Sequence, residues 1–176
     1  SLINTILGHE RLVTGPKAGL TRDSIQIPFS YNNKSFSLID TAGMRRKAKV
    51  NDFVEKQSVS KSMLAIRMSD IVILVLDATN KLNKQDLILA KRAIDYGKSI
   101  VISLNKWDLI EDKINLKKYF SEKIKTSLSQ LNDVKISPTS CFKTHGIDKL
   151  LENIICVYDN SHNRISTSDL NKWFKF

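Results

Sequence analysis

Ser99-Ile100-Val101-Ile102-Ser103-Leu104-Asn105-Lys106-Trp107-Asp108 is the stretch whose reading decides how this chain is built. Its first six residues, short and mostly apolar, read as a buried β-strand. The run then breaks into an amide, a cation and an acid. Upstream, Ile71 to Leu76 is apolar on both faces, as expected of a parallel strand covered by helices on each side. Between the two, Leu87, Leu89, Ala90 and Ile94 mark a helix closed by Gly97. Downstream, Leu116 to Leu131 reads as a long amphipathic helix, Val134 to Ile136 as a short last strand, and Ile147 to Tyr158 as the helix after it. Strand–helix alternation in this order predicts an α/β fold with a doubly wound, mostly parallel sheet. Ligand loops of such a sheet lie at the carboxyl ends of its strands.

The first part of the chain is organised differently. Ser1 to Leu7 reads as the end of a helix, with Leu2, Ile3, Ile6 and Leu7 on one stripe and Gly8 as a stop. A loop from His9 to Asp23 precedes Ile25, Ile27, Phe29 and Tyr31, which alternate as in a half-buried strand. Asn32-Asn33 makes a turn, and Phe36 and Leu38 continue the alternation, so an antiparallel hairpin runs into Ile39-Asp40. Pro28 places its strand at a sheet edge, because proline cannot donate to a ladder. A basic stretch, Arg45-Arg46-Lys47-Ala48-Lys49, follows, and then a helix with Val59, Met63 and Ile66 at helical spacing. Past Tyr158, Asp159-Asn160-Ser161-His162-Asn163 reads as a polar linker. Ser166 then caps a last helix bearing Leu170, Trp173 and Phe174. The expected organisation is one domain over 1–159, with a linker and the opening helix of another over 160–176.

Composition bounds the reading. The 176 residues, 41% hydrophobic and 26% charged, suit a globular domain that buries a core. No apolar run approaches the roughly 18–20 residues that cross a bilayer, and Ser1 opens no secretory leader. Cys141 and Cys156 form no disulfide framework and stand in no metal spacing with His9, His145 or His162. The net charge of +10 favours polyanionic partners, without naming a fold.

Asp40, Asp77, Asn105 and Ser140 all fall at predicted strand ends. Asp40-Thr41-Ala42-Gly43 puts a carboxylate where it can reach Mg²⁺ through water, and a glycine whose N–H can approach a γ-phosphate. Asp108 can accept hydrogen bonds from the N1–H and exocyclic amine of guanine, a pair that adenine does not offer. Asn105 can tie loops and meet the base edge, and the stem of Lys106 can cover the purine face. Ser140-Cys141 can bring a backbone N–H to the guanine O6, and Thr21 sits where a switch threonine would close on Mg²⁺ and γ-phosphate. Asp77 is the weakest of the set, since Asp-Ala-Thr after a strand reads equally well as a turn.

These residues resemble the translation-factor-related GTPases and, within them, the Der (EngA) family of bacterial ribosome-assembly GTPases. The likeness rests on Ala18-Gly19-Leu20-Thr21-Arg22-Asp23-Ser24-Ile25, Asp40-Thr41-Ala42-Gly43-Met44-Arg45-Arg46-Lys47, Val54-Glu55-Lys56, Val75-Leu76-Asp77-Ala78, Asn105-Lys106-Trp107-Asp108 and Arg164-Ile165-Ser166-Thr167-Ser168. It implies a P-loop GTPase fold with an antiparallel edge hairpin, and the second of two tandem GTPase domains leading into a KH-like domain. It further implies GTP or GDP and Mg²⁺ as ligands, a potassium ion in the intact protein, ribosomal RNA or the large ribosomal subunit as partner, and a cytoplasmic location. No G-x-x-x-x-G-K-[ST] segment occurs in the 176 residues. By the resemblance, Ser1 would follow the magnesium-binding serine of that loop, and the strand before it would lie between the hairpin and Ile71–Leu76. The expectation is therefore a chain inactive by itself, with no catalytic residue of its own assigned. An upstream piece would supply strand and loop; the alternative is a split-gene or degraded fragment that binds no nucleotide and at most docks on RNA or a partner. Met44 stands where small signalling GTPases place a water-orienting glutamine, and Cys141 where the family usually has alanine.

Overall fold

The computed structural model describes residues 2–9, 26–39, 63–128, 130, 134–163 and 165–174. Helix α1 spans Leu2–His9, and strands β1 (Gln26–Tyr31) and β2 (Lys34–Ile39) form an antiparallel hairpin. A helical segment over 63–68 precedes β3 (Ile71–Asp77). Then come α2 (Lys84–Asp95), β4 (Ser99–Asn105), a single 3₁₀ turn over Trp107–Leu109, α3 (Lys113–Ser127), β5 (Lys135–Pro138), α4 (Ile147–His162) and α5 (Thr167–Trp173). Strands β3, β4 and β5 make a parallel sheet in that order. The α/β architecture is as the sequence implies, with a mostly parallel sheet and an antiparallel hairpin.

Strand β4 is the centre of the molecule because both of its faces are covered. Ile100, Ile102 and Leu104 face one core with Leu74, Leu76, Ala90, Ala93, Phe120 and Ile124. Val101 faces the other, with Ile6, Phe29, Ile147, Leu150, Leu151 and Ile154. The hairpin turns at Asn32 (φ 48°) and Asn33 (φ 60°), the left-handed pair that a two-residue connection requires. Phe29 and Phe36, directly opposite in its ladder, stack at 4.9 Å. Pro28 lies opposite Ser37, in a strand paired on one side only among the described residues.

Four boundaries differ from the sequence reading. Gly8 does not stop α1, which continues to His9. Helix α3 starts at Lys113, because Asp112 caps it: its Oδ1 accepts from Asn115 N–H at 3.2 Å and its Oδ2 from Asn115 Nδ2 at 2.7 Å. The last strand is Lys135–Pro138, and Pro138 is tolerated at the end of a strand paired only with β4 among the described residues. The expected linker at 159–163 is mostly helix: α4 runs to His162, whose ring stacks on Tyr158 at 4.0 Å. Polarity there marks a solvated helix surface rather than a break. Arg164, quoted for the resemblance, is outside the described residues.

Between the hairpin and the parallel sheet lies a cleft of about 520 Å³. Consecutive residues Lys34 to Ile39 line one wall, so the whole edge of β2 faces it. Ile71 and Ile73 of β3 line the other, and Leu151, Ile154 and Ile155 of α4 form the floor. No described residue pairs with β2 or β3 across it.

Candidate functional site

The ends of β3, β4 and β5 come together through backbone bonds. Asp77 and Asn105 are in register at the ends of β3 and β4, and Ala78 N–H donates to Asn105 O at 2.9 Å. Thr139 N–H donates to Leu104 O at 2.8 Å, and Trp107 N–H to Thr139 O at 3.0 Å. The Trp107 ring is buried in the core, so Asn105, Lys106 and Asp108 project from an anchored turn.

Each of the predicted base-site residues has a defined place. Asn105 Oδ1 accepts from Cys141 N–H at 3.4 Å and from Cys141 Sγ at 3.2 Å, so its side chain ties the β4 and β5 loops together. Lys106 adopts a left-handed backbone (φ 62°, ψ 32°), which costs a non-glycine residue roughly 1–2 kcal/mol. Its Nζ meets Asp77 Oδ2 at 2.6 Å. Asp77 Oδ1 accepts from Thr79 N–H at 3.0 Å and from Thr79 Oγ1 at 2.7 Å. Lys106 first, then Thr79, hold the Asp77 carboxyl down at about 2. Asp77 therefore ties to Lys106 as well as starting a turn.

The Asp108 carboxyl is held below the usual carboxylate range, chiefly by the Ser140 hydroxyl, with smaller help from its own backbone N–H and the charges of Lys143 and Lys113. The Ser140 hydroxyl also accepts from Lys143 N–H at 3.1 Å. Ser140 N–H, expected as a donor toward the base, is instead used within its loop. It donates to His145 O at 2.9 Å, and His145 N–H returns a bond to Ser140 O at 3.1 Å. Both backbone N–H groups of the pair are thus used within the protein, that of Cys141 by Asn105 Oδ1, and Ser140 also serves through its side chain. Gly146 closes the loop at φ 76°, where a Cβ would lie 2.1 Å from Pro138 O. The role of the Ser140 hydroxyl and the Asp77–Lys106 pair were missed in sequence. Both join residues far apart in the chain, so only strand order could have signalled them.

A carboxylate on an anchored turn beside a lysine stem can accept two N–H groups from a heterocycle while the stem covers its face. Thr21, Asp40 and Gly43, expected to serve Mg²⁺ and phosphate, lie outside the described residues, as do Met44 and the basic run at 45–49. Among the described residues, no group of His, Cys, Asp and Glu is placed to hold a metal ion, and no helix is long and apolar enough to cross a membrane.

Fold and loop placement together define an α/β domain of the P-loop GTPase class. The fold recurs in Era bound to MgGDPNP and nucleotides 1506–1542 of 16S ribosomal RNA (TM-score 0.65, 22% identity, 89% of this chain and 51% of that one). It recurs also in a probable GTP-binding protein engB (TM-score 0.61, 19% identity, 90% and 91%). The model of the family described as "50S ribosome-binding GTPase" matches residues 1–106, and GTPase Der of Brucella abortus (strain 2308) is 46% identical over 175 residues. This chain belongs to that family of ribosome-binding GTPases, and within it to the Der type. The alignment takes in 99% of the chain but 36% of the Brucella relative, so the chain spans about a third of that protein's length.

Proposed function

We propose that these residues form the base-reading half of a guanine-nucleotide site, in a Der-type protein that hydrolyses GTP during assembly of the large ribosomal subunit. One observation carries the reading: Asn105, Lys106 and Asp108 stand on an anchored turn at the carboxyl end of β4, with Asp77 of β3 and Cys141 of the β5 loop bonded to them. Thr21, Asp40 and Gly43 are the residues we assign to Mg²⁺ and the γ-phosphate. Potassium serves the intact protein, and Met44 has no part in catalysis, since a thioether neither orients nor polarises water.

The phosphate cradle comes from a strand and G-x-x-x-x-G-K-S loop that these 176 residues do not contain, and the strand occupies the cleft between β2 and β3. Two facing strand edges over an apolar floor support this placement. We assign 1–159 to the GTPase domain. The last segment, with Leu170, Trp173 and Phe174 all exposed, opens a KH-like domain that would cover them. Ribosomal RNA is the partner suited to the +10 charge, and the cytoplasm the location.

Asp108→Asn tests the base assignment in the chain joined to that strand and loop. An amide can donate where the carboxylate only accepted, so competition should shift from GTP toward XTP. An unchanged guanine preference would reduce Asn105–Asp108 to a structural turn.

A further inference from the structure

We propose that Asp77 is a positioning residue of the guanine site, holding the Lys106 side chain in place before the base arrives. This deepens the nucleotide-binding reading and rests on it. The two carboxylate oxygens of Asp77 do separate work: Oδ1 makes the turn with Thr79, and Oδ2 takes Lys106 Nζ at 2.6 Å. The backbones of the partners are locked as well, because Asp77 and Asn105 are in register and Asn105 O accepts from Ala78 N–H. Lys106 reaches this partner from a left-handed backbone, an unfavourable pose concentrated at a binding turn. A free lysine stem loses considerable rotamer freedom when it lies along a purine, and a lysine already held at its tip has lost it beforehand. The carboxylate thus prepares the apolar stem for the base without touching the base itself.

Asp77→Asn separates the two tasks, since the amide oxygen still accepts from Thr79 while the charge toward Lys106 is gone. Lys106→Met keeps an apolar stem and removes the ammonium. Both variants and the double variant would be made in the chain joined to the upstream strand and phosphate loop, and titrated with GDP and with inorganic triphosphate, which carries no base. Each single change should raise the GDP Kd roughly tenfold, and the double variant should be no weaker than either. Triphosphate affinity should stay as in the parent. Parental GDP affinity in Asp77→Asn would overturn the proposal alone, as would single effects that multiply in the double variant or an equal loss for triphosphate. Failure of the parent to bind GDP would overturn the nucleotide reading, and this proposal with it.

Discussion

At the residue scale the site is a set of polar side chains whose charge states are fixed by neighbours. Asp77 titrates at about 2 against an ordinary 3.8, because Lys106 and Thr79 favour its charged form. A depressed native pKa adds stability that is fully present above the unfolded value and is lost as pH falls through the native one. Acid unfolding between pH 3.8 and about 2 should therefore be steeper in the parent than in Lys106→Met, by under about 1 kcal/mol for so exposed a pair. Superimposable acid-unfolding curves for the two would contradict the ion pair. Gly146 is the other sensitive residue. Gly146→Ala must hold a left-handed backbone and push a Cβ against Pro138 O, so denaturant titration should show a loss of at least roughly 1–3 kcal/mol. An unchanged midpoint would mean the loop that carries Ser140 and Cys141 is less constrained than described.

At the scale of elements, the parallel sheet and the helices between its strands were legible because their residues carry a local pattern. Ile71 to Leu76 is a continuous apolar run and Ser99–Asn105 a mostly apolar one, a pattern that marks strands of a covered sheet, although Val75 of the first is exposed. The ends of helices were less legible, since caps are single polar residues. Asp112 starts α3 ahead of its first apolar residue, and Ser161 and His162 extend α4 although neither is apolar. Asn83 shows how much one such residue does: its side chain accepts from Asp86 N–H at 2.8 Å, and the Asp86 carboxylate answers Asn83 N–H at 3.3 Å. Asn83→Ala should cost about 1 kcal/mol by denaturant melting. Phe120, fully buried between α3 and the sheet, should cost about 3–5 kcal/mol as alanine, and a smaller effect than Asn83→Ala would invert the described core. Of the site proposed to hold the base, Asn105, Lys106 and Asp108 stand in the sequence as one short motif. The hydroxyl of Ser140 and the carboxylate of Asp77 were not, because their partners are brought to them only by the order β3-β4-β5.

At the scale of the whole molecule, the loops proposed to read the base stand on a well-packed parallel sheet, while a cleft lies between the hairpin and that sheet. The hairpin is tethered at its far end, where Lys34 Nζ meets Asp159 Oδ1 at 2.6 Å. Its other end, Ile39, leads directly toward Asp40. A strand seated in the cleft would join the two sheets into one and carry its phosphate loop to the end where Asn105 and Asp108 lie. Charge-assisted contacts are worth about 1.5–3 kcal/mol each, and several decades of affinity follow from gaining a few of them. Calorimetric titration with GDP, on residues 1–176 alone and on the same residues joined to the upstream strand and phosphate loop, tests this division of labour most directly. The account predicts no micromolar binding by residues 1–176 alone and clear micromolar or tighter binding by the joined chain. Micromolar GDP binding by residues 1–176 alone, or none by the joined chain, would contradict it.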